Sequence, residues 1–268
     1  MNKCATKYPI VLIHGIGYTD QKHPDYWGQV PDALREEGAR VFFGGQSAFG
    51  PVGENALQLR DNIEELCRRE HIEKVNLIAH SKGGIEARRM ISLPGGAERT
   101  ASLTTIATPH RGIAAIDIMK KKAPRLLSRL YSLFSTITRL AAGAAPSDES
   151  VYDQMSADYM DVFNEMIPDA PDVYYQSYAC RMDNPSVDPA FAVFHRFVKK
   201  YQGENDGLIP LESAKWGEYR GAYSGPSSEG ISHSMVCGNR RPPSWRKKGV
   251  DVCGFYIDMV SRLRSLGF

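Results

Sequence analysis

Val75-Asn76-Leu77-Ile78-Ala79-His80-Ser81-Lys82-Gly83-Gly84 carries more structural information than any other ten residues of the chain. A short apolar run leads straight into a serine, and helical spacing follows over Ile85–Ile91. Small-x-Ser-x-Gly is common on its own, and an ordinary strand–helix turn would share it. The preceding strand and following helix make the stretch read as a nucleophile elbow, a turn that lifts a serine hydroxyl above a sheet. The residues two positions either side must be small, or their side chains would collide with strand and helix. Here they are Ala79 and Gly83.

Working outward, strand and helix patterns alternate. Ile10–Ile13 and Arg40–Phe43 read as strands, Asp25–Gly38 and Glu54–His71 as helices, and Ser102–Ala107 as a further strand. This alternation predicts an α/β fold with a mostly parallel sheet and helices on both faces. From Ile113 to Pro168 the pattern is helical throughout. Strand character returns at Val173–Tyr178, with two weaker strand candidates at Ala190–Val198 and Glu218–Tyr223, and a closing helix over Gly249–Leu266. The expected organisation is one domain over residues 1–268 with a helical insertion at about 113–168.

A serine hydroxyl is a poor nucleophile near neutral pH and needs a base. In folds built on this elbow the acid and the histidine follow the serine in that order. Gly203-Glu204-Asn205-Asp206-Gly207-Leu208-Ile209-Pro210 offers Asp206 in a Gly-flanked turn, with Glu204 as the rival acid. Beyond Asp206 only His233 remains as a histidine. The expected catalytic set is therefore Ser81, Asp206 and His233. Two N–H groups should receive a developing oxyanion. One is that of Lys82 at the helix N-terminus. The other is that of Ile16 in His14-Gly15-Ile16-Gly17, the loop after the first strand. His14, His80 and His110 are expected to make supporting hydrogen bonds, and His195 to be packed or at the surface.

The 33 Lys and Arg exceed the 31 Asp and Glu by two, which gives no reason to expect a nucleic-acid partner. The five cysteines form no C-x-x-C pair, and an odd number leaves at least one thiol free. No apolar h-region follows Met1 and no apolar run reaches a membrane-spanning length, so neither a signal peptide nor a transmembrane segment is expected. A cytoplasmic location is the favoured expectation; secretion is the alternative if a leader was removed or export is non-classical.

Tyr8–Gly15, Lys74–Ser81, Thr104–Gly112 and Asn205–Pro210 together resemble bacterial true lipases of the Pseudomonas/Burkholderia/Proteus type, members of the α/β-hydrolase superfamily. The likeness is dense from Tyr8 to Gly112 and patchy beyond; Thr108-Pro109-His110-Arg111-Gly112 is its most specific string. It implies hydrolysis of acylglycerol esters, a lid over the site, and the same triad. It also implies a structural calcium ion with an Asp ligand two residues after the catalytic histidine, but that position is Met235. Asp183 and Asp188 are what remains for such a site, and no cofactor or metal is expected.

Arg125–Ala142 is the sharpest amphipathic stretch. Leu126, Leu130, Phe134 and Ile137 on its apolar face are the expected lid or substrate-binding residues, with Gly143 and Pro146 as hinges. A helix packed permanently on the core is the alternative. The partner expected is a lipid or other hydrophobic ester, with transient contact to a lipid interface through the lid. The leading expectation is a triacylglycerol lipase. A short-chain carboxylesterase, phospholipase, thioesterase or acyltransferase would use the same triad. A catalytically silent binding module is the non-enzyme alternative.

Overall fold

The computed structural model describes residues 2–17, 24–142, 150–225, 228–238 and 252–268. Among these residues, six strands form one parallel sheet: β1 (Ile10–Ile13), β2 (Val41–Phe43), β3 (Val75–His80), β4 (Thr100–Ile106), β5 (Tyr174–Cys180) and β6 (Glu218–Tyr223), in the order β2-β1-β3-β4-β5-β6. β1, β3 and β4 are buried along their whole length, because helices cover both faces.

The helices α1 (Val30–Glu36), α2 (Val52–Glu70) and α3 (Lys82–Ile91) connect the first strands. On one face Ala56, Leu59 and Ile63 of α2 pack with Ala87 and Met90 of α3 against Val11, Leu77 and Leu103. On the other, Val30 and Leu34 of α1 meet Tyr256 and Val260 of α9 (Cys253–Ser265) over Ile10, Leu12 and Ile78. Burial of the Val, Leu, Ile and Met side chains among these stabilises the layers by about 1.5–3 kcal/mol each before chain entropy is subtracted.

Two of the expected elements differ. Residues 25–38 are not one helix: a 3-10 turn at Pro24–Trp27 ends at Gly28 (φ 50°), and α1 starts at Val30 with Pro31 in its first turn. The expected strand at Ala190–Val198 is helix α8 (Ala192–Gln202). His195 and Val198 are its buried positions and Phe191, at its N-cap, is buried with them, an i, i+4, i+7 spacing that only a helix places on one side.

Between β4 and β5 lie α4 (Ala114–Lys122), α5 (Pro124–Ala142), α6 (Ser150–Asp153) and α7 (Ala157–Met166), as the helical reading of 113–168 requires. With α8 they cluster around Ile116, Met119, Leu127, Tyr152 and Val198 above the carboxyl ends of the strands. No helix among the described residues is long and apolar enough to cross a membrane. Gly143 and Pro146, the expected hinges, lie outside the described residues.

The strand order sets where a site can form. The chain leaves β1 in one direction to reach β2, and then crosses to the other side of β1 for β3. Loops at the carboxyl ends of β1 and β3 therefore diverge and leave a crevice between them. His14–Gly17 and Ser81 occupy those two ends.

Candidate active site

Ser81 follows β3 directly and sits at φ 56°, ψ −133°, a conformation that a non-glycine residue adopts only under tertiary constraint. Its N–H donates to Ile106 O at 3.0 Å, and its carbonyl accepts from Gly84 N at 3.0 Å. Bare backbone surrounds it. A β-carbon on Gly15 would stand 2.9 Å from the Ser81 Cβ, and one on Gly83 would stand 2.9 Å from Ile13 O. Gly84 abuts Thr108, a β-carbon there lying 2.9 Å from the threonine Cβ; the sequence pattern explained Gly83 but not this second glycine.

The structure brings the three expected side chains together. His233 Nε2 lies 2.9 Å from Ser81 Oγ, and His233 Nδ1 lies 2.7 Å from Asp206 Oδ2. A carboxylate only accepts, so Nδ1 carries the hydrogen and the Nε2 lone pair faces the serine hydroxyl. Asp206 is fully buried, and its Oδ1 accepts the N–H groups of Leu208 at 3.0 Å and Ile209 at 2.7 Å. The Asp206 carbonyl accepts from His233 N at 2.8 Å, so the two loops are tied through backbone as well. Glu204 is instead exposed and 3.9 Å from Arg181.

Lys82 opens α3, where its N–H has no intrahelical acceptor. Ile16 lies on the facing loop, and both it and Ser81 line an apolar cavity of about 150 Å³. The walls come from Met119, Leu127, Leu130, Phe191 and Phe194. Of the four expected α5 positions, Leu130 faces this cavity. Leu126 does not: it is 46% exposed, and Leu127, one position on, takes the inward place. The side chains of Phe134 and Ile137 lie outside the described residues.

Several contributors escaped the sequence reading. Tyr26 OH accepts from Gly15 N at 2.9 Å and lies 2.6 Å from His80 Nδ1, tying the loop after β1 to the residue before Ser81. The His80 ring packs on His233, centroids 4.5 Å apart. Burial first, and then the neighbouring His233, push the His80 imidazole well below the ordinary histidine range. His14 and His110 both make hydrogen bonds, His14 Nε2 lying 3.2 Å from the backbone Gln46 O and His110 Nε2 2.9 Å from the side-chain Thr105 Oγ1. His195 is buried, its Nε2 2.9 Å from Met182 O.

Asp188 Oδ2 accepts the hydroxyls of Ser232 at 2.8 Å and Ser234 at 3.0 Å, the two residues flanking His233. The alternating Ser-His-Ser was the available signal. The residues of the calcium expectation are engaged as follows. Asp188 is engaged by hydroxyl donors, Asp183 pairs with Arg181 at 3.1 Å, and Met235 is buried in the core. Among the described residues no group of three or more His, Cys, Asp or Glu converges.

Known proteins resemble this chain in both sequence and fold. The model of the family described as palmitoyl protein thioesterase matches residues 9–228. Triacylglycerol lipase 2 of Saccharomyces cerevisiae is 30% identical, over 94% of this chain and 77% of its own length. The triacylglycerol lipase of Pseudomonas fragi is 26% identical over 98% of both chains. Other triacylglycerol lipases align over 43% of this chain and 37% or 33% of their own lengths. Among solved structures, a metagenomic carboxyl esterase superposes with a TM-score of 0.72 at 15% identity, over 96% of this chain and 76% of that one. With a family model covering most of its length, and with this sheet and elbow, the chain belongs to the palmitoyl protein thioesterase family and has the α/β-hydrolase fold.

Proposed function

We propose that this chain is a serine hydrolase of lipid carboxylic esters, a triacylglycerol lipase, working through an acyl-enzyme on Ser81. The observation that carries this reading is the hydrogen-bonded series Asp206–His233–Ser81 opening on an apolar cavity. The yeast and Pseudomonas fragi relatives, each a triacylglycerol lipase aligned over nearly all of this chain, support the finer substrate class. The Pseudomonas fragi alignment also supports kinship with the bacterial true lipases.

Ser81 Oγ attacks the ester carbonyl carbon while His233 Nε2 takes the hydroxyl proton. Asp206 holds the imidazolium so formed. The carbonyl electron pair moves onto oxygen and meets the N–H groups of Ile16 and Lys82, each contributing about 3–4 kcal/mol to the transition state. Collapse expels the alcohol with the proton from His233. Water then repeats the cycle on the acyl-serine. The apolar walls take the acyl chain, and the helices of residues 113–168 serve as the lid, α5 meeting lipid through the exposed Leu126 and Leu133.

The family description favours a second reading, hydrolysis of palmitoyl thioesters by the same groups. A panel of p-nitrophenyl esters of rising chain length, emulsified triglyceride and an S-palmitoyl peptide separates the two. Triglyceride turnover with a jump in rate at the emulsion surface is expected; turnover confined to the thioester overturns the lipase reading. Ser81→Ala should lower kcat by about 10⁶ and abolish fluorophosphonate labelling. Retained activity in that variant would end the serine mechanism.

A further inference from the structure

The mechanism above uses the backbone of Lys82 and leaves its side chain without a task. That side chain is 1% exposed. Its ammonium donates to Gly50 O at 2.7 Å and pairs with the Glu86 carboxylate one helical turn on. Glu86 Oε1 also accepts from Asn55 Nδ2 at 2.7 Å, and Oε2 accepts from Gln46 Nε2 at 3.3 Å. The same Gln46 nitrogen donates to His14 O at 2.9 Å. Asn55 donates further to Ser47 O at 2.8 Å, and Gly17 N donates to Ala48 O at 2.9 Å.

These bonds join the two halves of the crevice from beneath. One end of the network is the first turn of α3, which carries the Lys82 N–H. The other end is the His14 carbonyl. Because Gly15 N donates to Tyr26 OH, the His14–Gly15 peptide is held at both its oxygen and its nitrogen. The next peptide carries the Ile16 N–H. Two donors from separate elements must meet one oxygen within a few tenths of an ångström, and their supporting contacts decide whether they do.

Stability alone is a poor reason for such a network. A buried ion pair is offset by desolvation, and apolar replacements are often neutral. We propose that the buried Lys82–Glu86 pair, extended by Gln46 and Asn55, is a positioning device that sets the Ile16 N–H against the Lys82 N–H. The proposal rests on the Ser81 mechanism. None of the four side chains touches substrate; all act through backbone.

The test uses the full chain in three variants. Glu86→Gln removes the charge. Gln46→Leu leaves both charges and cuts the link to His14. The double variant Lys82→Met with Glu86→Leu replaces the pair by apolar groups of similar volume. Each is assayed for kcat and KM on p-nitrophenyl butyrate, for affinity to an alkyl trifluoromethyl ketone, which adds to the serine as a tetrahedral oxyanion, and for melting temperature. The expected result is a fall in kcat of about 10- to 100-fold with KM within about twofold, and an equal loss of ketone affinity, in every variant that melts as the parent does. A purely structural role would move the melting temperature and leave the ketone affinity of the folded fraction alone. Parental kcat and ketone affinity in the folded double variant and in Gln46→Leu overturn the proposal. Ser81→Ala, run alongside, keeps the two questions apart: if it is dead while the network variants are fully active, only this inference falls, whereas if it remains active the mechanism itself does.

Discussion

Asp206 divides its two carboxylate oxygens, Oδ1 to the backbone N–H groups of Leu208 and Ile209, Oδ2 to the imidazole of His233. With Oδ1 fixed, an amide in its place would turn its NH₂ toward His233 Nδ1 and force the other tautomer, whose Nε2–H cannot accept the serine proton. Asp206→Asn should thus lower kcat by about 10⁴ at nearly constant KM, read in ester hydrolysis at pH 7. Ser81, Asp206 and His233 were legible because the order of the triad leaves few candidates in 268 residues. Tyr26 and Asp188 were not: they earn their place through partners 11 to 54 positions away, and only the folded chain shows that Tyr26 meets Gly15 and His80, or that Asp188 meets the serines beside His233.

Among the elements, α5 shows what periodicity delivers and where it stops. Its apolar spacing identified the helix and its Leu-rich side. Which leucine turns inward depends on the rotation of the helix about its axis, and one position is about 100°. Leu127 and Leu130 face the cavity, while Leu126 and Leu133 face outward. An indole at Leu130 would fill part of the space available to an acyl chain. Leu130→Trp should therefore depress kcat/KM on long-chain p-nitrophenyl esters by about tenfold or more while sparing the acetate; equal loss on both would place the acyl chain elsewhere. The segment of α8 has the local composition of a strand, because Phe191, Val193 and Phe194 favour sheets. Tertiary packing of one helical face outweighed that local preference.

At the scale of the whole molecule, the parallel sheet gathers Ser81, Asp206 and His233 at one end and encloses other titratable groups beneath them. His80 and His110 are both held well below the ordinary histidine value of 6.5, chiefly by burial, His110 also by Arg88 and Arg111. Below pH 6.5 the unfolded chain takes up protons at these rings and the folded chain does not. Unfolding then binds protons, so stability falls as the pH drops, by up to about 1.4 kcal/mol per pH unit for each ring. Urea denaturation at pH 7 and pH 5 should show the loss, and His110→Gln should show a shallower one; identical slopes in the two proteins would contradict the assignment. The alternation of strand and helix was readable at this scale. The polar contacts that join distant loops were not, since charge and hydroxyl patterns do not reveal which groups lose their water.

The left-handed backbone of Ser81 has an evolutionary corollary. Glycine would occupy that φ without penalty, whereas serine is strained there by roughly 1–2 kcal/mol. Selection for a robust fold and selection for turnover therefore pull this one codon in opposite directions, and the molecule retains the less comfortable residue because its oxygen has no substitute.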